Sequence, residues 1–280
     1  MLNPEAARTL QRETAAEPTP VSDHPMVGLR DVTLKYGDML ALDHTTMAIE
    51  PSEFVAVVGP SGCGKSTLMK LVTGLLPPTT GEIRFGGRIV NGPVHGAGMA
   101  FQNATLLPWR TTLANVRLPL EIVEPFKRQA RSQRAELDAR AQKLLNTVGL
   151  GEFADHLPWQ LSGGMQQRAN LCRALVHEPM LMMLDEPFAA LDAFTKEDLW
   201  EVLQELWLRQ KFTAILVTHD LREAAYLADT VYVMSSRPGH IVKRCPVPLP
   251  RPRTQEMTFD SVYTDLVNEL RALIAAVRSK

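Results

Sequence analysis

Three cysteines in 280 residues, Cys63, Cys172 and Cys245, are too few and too scattered for a disulfide framework, and no pair has metal-site spacing. A reducing compartment fits that usage. Long apolar runs are missing too: nothing approaches the roughly 20 residues that span a bilayer, and runs such as Phe54 to Val58 and Met180 to Leu184 suit buried strands. The chain is therefore not expected to cross a membrane by itself. Nor is there an excess of charge, since 30 basic and 31 acidic residues leave a net −1. That balance supplies no bulk attraction for nucleic acid or an anionic membrane surface, and no nucleic-acid partner is expected. The first 25 residues lack the apolar core of a secretion signal; Glu5, Arg8, Arg12, Glu13, Glu17 and Asp23 among Ala, Thr and Pro read as a flexible arm.

What is present alternates between strand and helix patterns. Leu29, Val32, Leu34 and Tyr36, then Met47 and Ile49, predict paired strands, with a bulge between Leu29 and Val32. Phe54 to Val58 predicts a strand buried on both faces of a parallel sheet, and a helix should run from Lys65 to about Thr73, where Gly74 stops it. Gly81 to Phe85 and Gly98 to Phe101 add short strands. Between about Leu106 and Gln160 strand patterns vanish, and Arg128 to Thr147 reads as one charged amphipathic helix in an inserted helical lobe. Helices over Met165–His177 and Phe194–Leu208, with strands over Met180–Leu184, Thr213–Val217 and Thr230–Met234, restore α/β alternation. Asp220 with Glu223 predicts a capping box for a helix through Ala228. Pro246, Pro248, Pro250 and Pro252 then break regular structure, and Leu266, Leu270, Leu273, Ile274 and Val277 recur at helical spacing.

Gly59-Pro60-Ser61-Gly62-Cys63-Gly64-Lys65-Ser66, followed by Thr67, fits the phosphate-loop pattern and lies between a predicted strand and helix, the context that pattern requires. Its glycines let backbone N–H groups converge on phosphate oxygens, Lys65 brings charge, and Ser66 can ligate Mg²⁺. Asp185 and Glu186 end an apolar strand where a sheet edge opens on that loop. Asp185 suits a role in holding Mg²⁺, and Glu186 one in orienting or deprotonating water. Cys63 reads either as a buried inert side chain or as an oxidation-sensitive thiol.

With Leu161-Ser162-Gly163-Gly164-Met165-Gln166-Gln167-Arg168, this ordered set resembles the ATP-binding-cassette family over about residues 27 to 246. The resemblance implies a P-loop NTPase (RecA-like) α/β fold: a mainly parallel sheet core, an N-terminal antiparallel β subdomain and an inserted α-helical subdomain. Domain bounds follow as an arm over 1–25, an ATPase domain over 26–246 with the helical part at about 106–178, and a Pro-rich segment with a terminal helix over 247–280. It also implies ATP and Mg²⁺ as ligands. Tyr36 matches the aromatic that stacks on adenine, Gln102 the glutamine that senses Mg²⁺ and water, and His219 the histidine at the γ-phosphate. Ser162, Gly163 and Gly164 match the turn that reaches a partner's nucleotide, and Asp192 the loop that crosses to that partner. A head-to-tail homodimer is implied, with Lys65, Ser66, Gln102, Asp185, Glu186 and His219 of one subunit facing the Ser-Gly-Gly turn of the other. Ser52 stands where the family often has a turn glycine, and Trp159 where a polar residue is common.

Leu106-Leu107-Pro108-Trp109 after Gln102, Asn115-Val116, and Ser235-Ser236-Arg237-Pro238-Gly239-His240-Ile241 look like the nitrate, sulfonate and taurine importer ATPases. That likeness implies a peripheral subunit on the cytoplasmic side of the bacterial inner membrane, integral membrane permease subunits as partners, and a periplasmic or lipid-anchored solute-binding protein acting indirectly. The Leu-Leu-Pro-Trp run reads either as a surface for a partner helix or as core of the helical lobe. A soluble cassette ATPase in a non-transport assembly process is the alternative.

Overall fold

A computed structural model describes residues 25–130 and 132–278, so the expected N-terminal arm lies, Pro25 apart, outside the described residues. Strands β1 (Val27–Tyr36) and β2 (Met39–Ile49) pair antiparallel, and β4 (Thr80–Phe85) and β5 (Arg88–Ile89) extend them to a four-stranded sheet ordered β2-β1-β4-β5. The register shifts between Leu29 and Val32, where the sequence predicts the bulge, and Asp31 there has φ 51.

The second sheet has six strands in the order β10-β9-β3-β8-β7-β6. These are β3 (Phe54–Val58), β6 (Ala97–Ala100), β7 (Leu181–Asp185), β8 (Thr213–Val217), β9 (Thr230–Met234) and β10 (Ile241–Pro246). All neighbours are parallel except β10 with β9. Strand β3 shows why its sequence is continuously apolar: Phe54, Ala56 and Val58 enter one core cluster, while Val55 and Val57 enter the other. A strand with two buried faces has no position at which a polar residue reaches water. The edge strands β5 and β10 were not legible, because short, half-exposed strands such as Arg88–Ile89 carry too few apolar residues to show a period.

Helix α1 (Lys65–Val72) follows the phosphate loop and ends at Thr73 and the left-handed Gly74 (φ 70). The helical lobe, inserted between β6 and β7, comprises α2 (Thr112–Arg117), α3 (Phe126–Gln129), α4 (Arg134–Thr147) and α5 (Gly163–Leu175). The single helix expected over Arg128–Thr147 is therefore divided. Only Leu137, Ala141 and Leu145 of α4 are buried, so the polar segment before Leu137 has no apolar face to anchor another turn.

Helices α6 (Ala193–Gln210) and α7 (Leu221–Leu227) complete the crossovers, and α8 (Ser261–Arg278) closes the described chain. The expected capping box at α7 does not form. Asp220 does cap, accepting from Arg222 N at 2.9 Å, but Glu223 is buried and accepts from the Thr218 hydroxyl at 2.5 Å instead. Thr218 Oγ1 in turn takes the Asp220 N–H that the box would have used. Helix α8 buries Tyr263, Leu266, Val267 and Leu270 on the body, as its periodicity predicts. Ser52 adopts φ 60 in place of the usual glycine; its N–H donates to Thr213 Oγ1 (2.9 Å) and its hydroxyl to Lys211 O (2.6 Å), bonds that offset the strained turn.

Candidate active site

Parallel pairing brings the candidate residues to one edge. Val57 pairs with Val217, Asp185 with Val217, and Ala100 with Leu184, so β3, β8, β7 and β6 all end on the same side. The loop Gly59–Gly64 leaves β3 there, Asp185 closes β7, His219 lies two residues past β8, and Gln102 two past β6. This is the carboxyl edge at which open α/β sheets bind ligands.

The phosphate loop is built around its lysine. Lys65 is only 7% exposed, and its ammonium donates to Gly59 O (2.9 Å) and Pro60 O (3.0 Å). A buried cation resting on two carbonyls, with no carboxylate bonded to it among the described residues, is poised to exchange them for anionic oxygens. Gly64, at the N-cap of α1, has φ 108, and a Cβ there would come 2.9 Å from Leu42 Cδ2. Glycine is required on both counts. Cys63 is buried beneath the loop and burial pushes its thiol pKa up, Lys65 opposing, which favours the inert reading over the reactive one.

A cleft of about 250 Å³ is lined by Tyr36, Ser61, Gly62, Gly64, Lys65, Ser66, Thr67 and Glu186. Met39, Ala41 and Arg237 complete it, three residues to which sequence reasoning gave no role. Arg237 donates to Gly62 O at 3.2 Å and approaches Met39 Sδ at 3.5 Å, so it ties the loop to the β1–β2 turn that carries Tyr36. Its position in the Ser235–Ile241 run was the available signal. A second cleft, about 500 Å³, adjoins the loop through Gly59 and Ser61 and includes His219. His219 Nδ1 lies 3.1 Å from Glu186 Oε2. Glu186 reaches this place through a left-handed backbone (φ 45), its N–H donating to Val217 O at 2.9 Å. A long acidic residue held in that region is the kind of strain found at functional sites. Asp185 is half-buried, and its carboxyl pKa is raised by burial and by Glu186, against Lys65 and Lys70.

Gln102 is fixed from behind: its carbonyl accepts from Gln167 Nε2, and Asn170 Nδ2 donates to the neighbouring Phe101 O. Both donors belong to α5, so the Gln102 loop and the Ser-Gly-Gly helix are mechanically joined.

Neither cleft is lined by Ser162, Gly163, Gly164 or Asp192. These four sit together instead. Ser162 caps α5 by accepting from Met165 N (3.3 Å), and Asp192 caps α6 through Thr195 N (3.1 Å) and the Thr195 hydroxyl (2.7 Å). A Cβ on Gly164 would fall 2.5 Å from Thr195 Cγ2, and one on Gly163 3.8 Å from Leu191 Cδ2. The two caps thus form one contiguous surface.

A third surface lies beyond Gln102. Asn115 shapes it, its carboxamide accepting from Leu107 N (2.7 Å) and donating to the carbonyls of Leu107, Arg110 and Thr111. Leu106 packs on the core, whereas Trp109 is 73% exposed. The Leu-Leu-Pro-Trp run therefore divides between the two expected readings. Among the described residues, no helix is long and apolar enough to cross a membrane.

The family model of the ABC transporter matches residues 42–189. The chain is 44% identical over 213 residues to an uncharacterized ABC transporter ATP-binding protein of Methanocaldococcus jannaschii, covering 76% of this chain and 77% of that one. It is 41% identical over 219 residues to the taurine import ATP-binding protein TauB of Yersinia pestis, covering 78% and 83% respectively. Among solved structures, the dimeric post-hydrolysis state of the ATP-binding cassette MJ0796 bound to ADP and Pi superposes with TM-score 0.66 at 31% identity, over 80% of this chain and all of that one. The P-loop fold, the family model and these relatives converge: this chain belongs to the ABC transporter family and is an ATP-binding-cassette ATPase.

Proposed function

We propose that this chain is the ATP-hydrolysing subunit of an importer for a small, anionic solute of the nitrate, sulfonate or taurine type. It works from the cytoplasmic side of the bacterial inner membrane on separate permease subunits, with a periplasmic or lipid-anchored binding protein delivering the solute. The observation that carries this reading is the exposed Trp109 surface, shaped by Asn115 and directly continuous with the Gln102 loop. An exposed aromatic on a fixed loop is a suitable seat for a partner helix, and movement there reaches Gln102 through a short connection. The taurine import relative supports the solute class.

Hydrolysis is assigned to a head-to-tail homodimer. Tyr36 stacks on adenine; Gly59, Pro60, Ser61, Gly62, Cys63, Gly64 and Thr67 hold phosphates through the loop backbone and hydroxyls; Lys65 meets the β- and γ-phosphates. Glu186 orients or deprotonates the attacking water, and His219 steadies both Glu186 and the γ-phosphate. Ser162, Gly163 and Gly164 of the other copy complete the site, with Asp192 in the crossing loop. Because γ-phosphate contacts to the second copy exist only in the closed state, ATP favours closure and phosphate release favours opening.

Among the described residues no cluster of three or more His, Cys, Asp or Glu could hold a metal alone. That suits Mg²⁺, which is commonly bound by one or two protein groups together with substrate phosphates. Ser66, Gln102 and Asp185 would hold it, and its charge would offset the burial and, after it, the Glu186 repulsion that raise the Asp185 pKa. Bound there, it supplies charge neutralisation on the phosphate oxygens.

The domain division follows the same reading: an ATPase domain over 26–246, its helical part at about 106–178, and a tail over 247–280. The reading is tested by isolating the complex from native membranes and measuring uptake of nitrate, sulfonates and taurine in cells lacking this chain. Co-isolation with an integral membrane protein and loss of uptake of one of these anions are expected. Isolation free of any membrane protein, with all uptake intact, would refute it.

A further inference from the structure

The 500 Å³ cleft beside the phosphate loop has a wall that the hydrolysis scheme does not use. Opposite Gly59, Ser61 and His219 stand Arg271, Ile274 and Arg278 of α8. The helix is anchored in that place. Tyr263 Oη donates to Arg222 O (2.9 Å), Ser236 Oγ to Val277 O (2.8 Å), and Lys243 pairs with Glu269 (2.8 Å), while Leu266, Val267 and Leu270 are buried. Arg271 and Arg278 lie two turns apart on one helix face. Among the described residues neither pairs with a carboxylate, Arg271 making only a 3.5 Å contact with Asn268 Oδ1.

A matching group is carried elsewhere on the same chain. Asp192 is exposed, and its two bonds from Thr195 hold its carboxyl below the usual range, so it is an anion at neutral pH. Two residues on, Phe194 is 82% exposed. A Cβ on Gly164 would have no room beside Thr195, and one on Gly163 would touch Leu191, so the 190–194 segment lies against the Ser-Gly-Gly turn and travels with it. In a dimer that sets this turn opposite the partner's Lys65, the segment must arrive beside the partner's phosphate loop. The cleft at Ser61 and His219 is the space available there.

We propose that this cleft is the seat for the 190–194 segment of a second copy, with Arg271 and Arg278 pairing its Asp192 and Ile274 packing on its Phe194. The tail helix is then part of the ATP-dependent interface, and two-fold symmetry makes the contact twice. The proposal rests on the shared-site reading.

The test uses the full chain carrying Glu186→Gln, with MgATP, and reads dimerisation by sedimentation velocity. Three derivatives are compared: Arg271→Gln with Arg278→Gln, Asp192→Asn, and all three changes together. Asparagine keeps the helix cap while removing the charge, and unfolding temperatures without ATP confirm that each variant folds. Each set should weaken the dimer at least about tenfold, the lower end of coupling between close interfacial charges. The combined variant should be no weaker than the worse of the two. Monomer affinity for ATP should not change. Dimerisation equal to the parent's, additive losses, a tighter dimer when the arginines are removed, or loss of nucleotide affinity would each overturn the seat while leaving the shared site standing. Failure of the Glu186→Gln parent itself to dimerise with ATP would instead refute the shared-site reading.

Discussion

Nδ1 of His219 lies 3.1 Å from Oε2 of Glu186, joining the ends of β8 and β7 across the mouth of the phosphate loop. The pair holds the carboxylate in the cleft rather than in solvent. Glu186→Gln keeps the shape and a hydrogen-bond acceptor but removes the proposed base. Turnover should fall by about 10² to 10⁴, the range of general-base contributions, while ATP affinity measured by titration calorimetry stays near wild type. Turnover within a few fold of wild type would remove Glu186 from that role.

The contact of Gly164 with Thr195 gives a second expectation. Gly164→Ala sets a methyl 2.5 Å from Thr195 Cγ2, so the two helix starts must separate. A loss of about 1–3 kcal/mol is expected from such overpacking. Adding Thr195→Ser removes the offending methyl and keeps the hydroxyl bonded to Asp192. Thermal unfolding should show most of the lost stability restored in the double variant, and no recovery would mean that the contact is not the cause.

Glu223 sets a pH dependence. Burial pushes its carboxyl from the ordinary 4.5 up to about 7, with Asp220 adding to the rise and Thr218 and Lys196 opposing it. Because the folded value is raised, the folded state holds this proton more tightly than the unfolded chain. The stability so gained is full below about pH 4.5 and is lost as pH rises through about 7. Glu223→Gln should therefore gain stability over wild type at pH 8, by at most about 3 kcal/mol, and lose that advantage at pH 5. An advantage independent of pH, read by denaturant titration, would contradict the raised value.

The sequence carried the site further than it carried the lobe. Asp185 ends, and Lys65 and His219 follow, strands whose apolar runs are unmistakable, and parallel pairing alone brings those strand ends to one edge. The cap at Ser162 was legible for the same local reason. The capping pattern of Glu223 is local, whereas its burial against Thr218 and Lys196 is tertiary and leaves no mark in the spacing. The break before α4 leaves no sequence signal, because charged residues keep a helical pattern without supplying a face to bury. Arg237 and Arg271 reach the loop region from segments far along the chain, and no spacing rule connects them with Gly62 or Ser61.

If each catalytic site is made by two chains, two variants that are inactive alone must complement each other on mixing. Lys65→Ala removes the phosphate-side half, and Ser162→Arg the facing half; each variant alone should be inactive. In their mixed dimer, one site combines the intact Lys65 of the second chain with the intact Ser162 of the first. Half of randomly paired dimers are mixed and each has one whole site, so about a quarter of the wild-type rate should return on mixing. A mixture as inactive as its components, with both variants folded and dimers forming, would contradict the shared site.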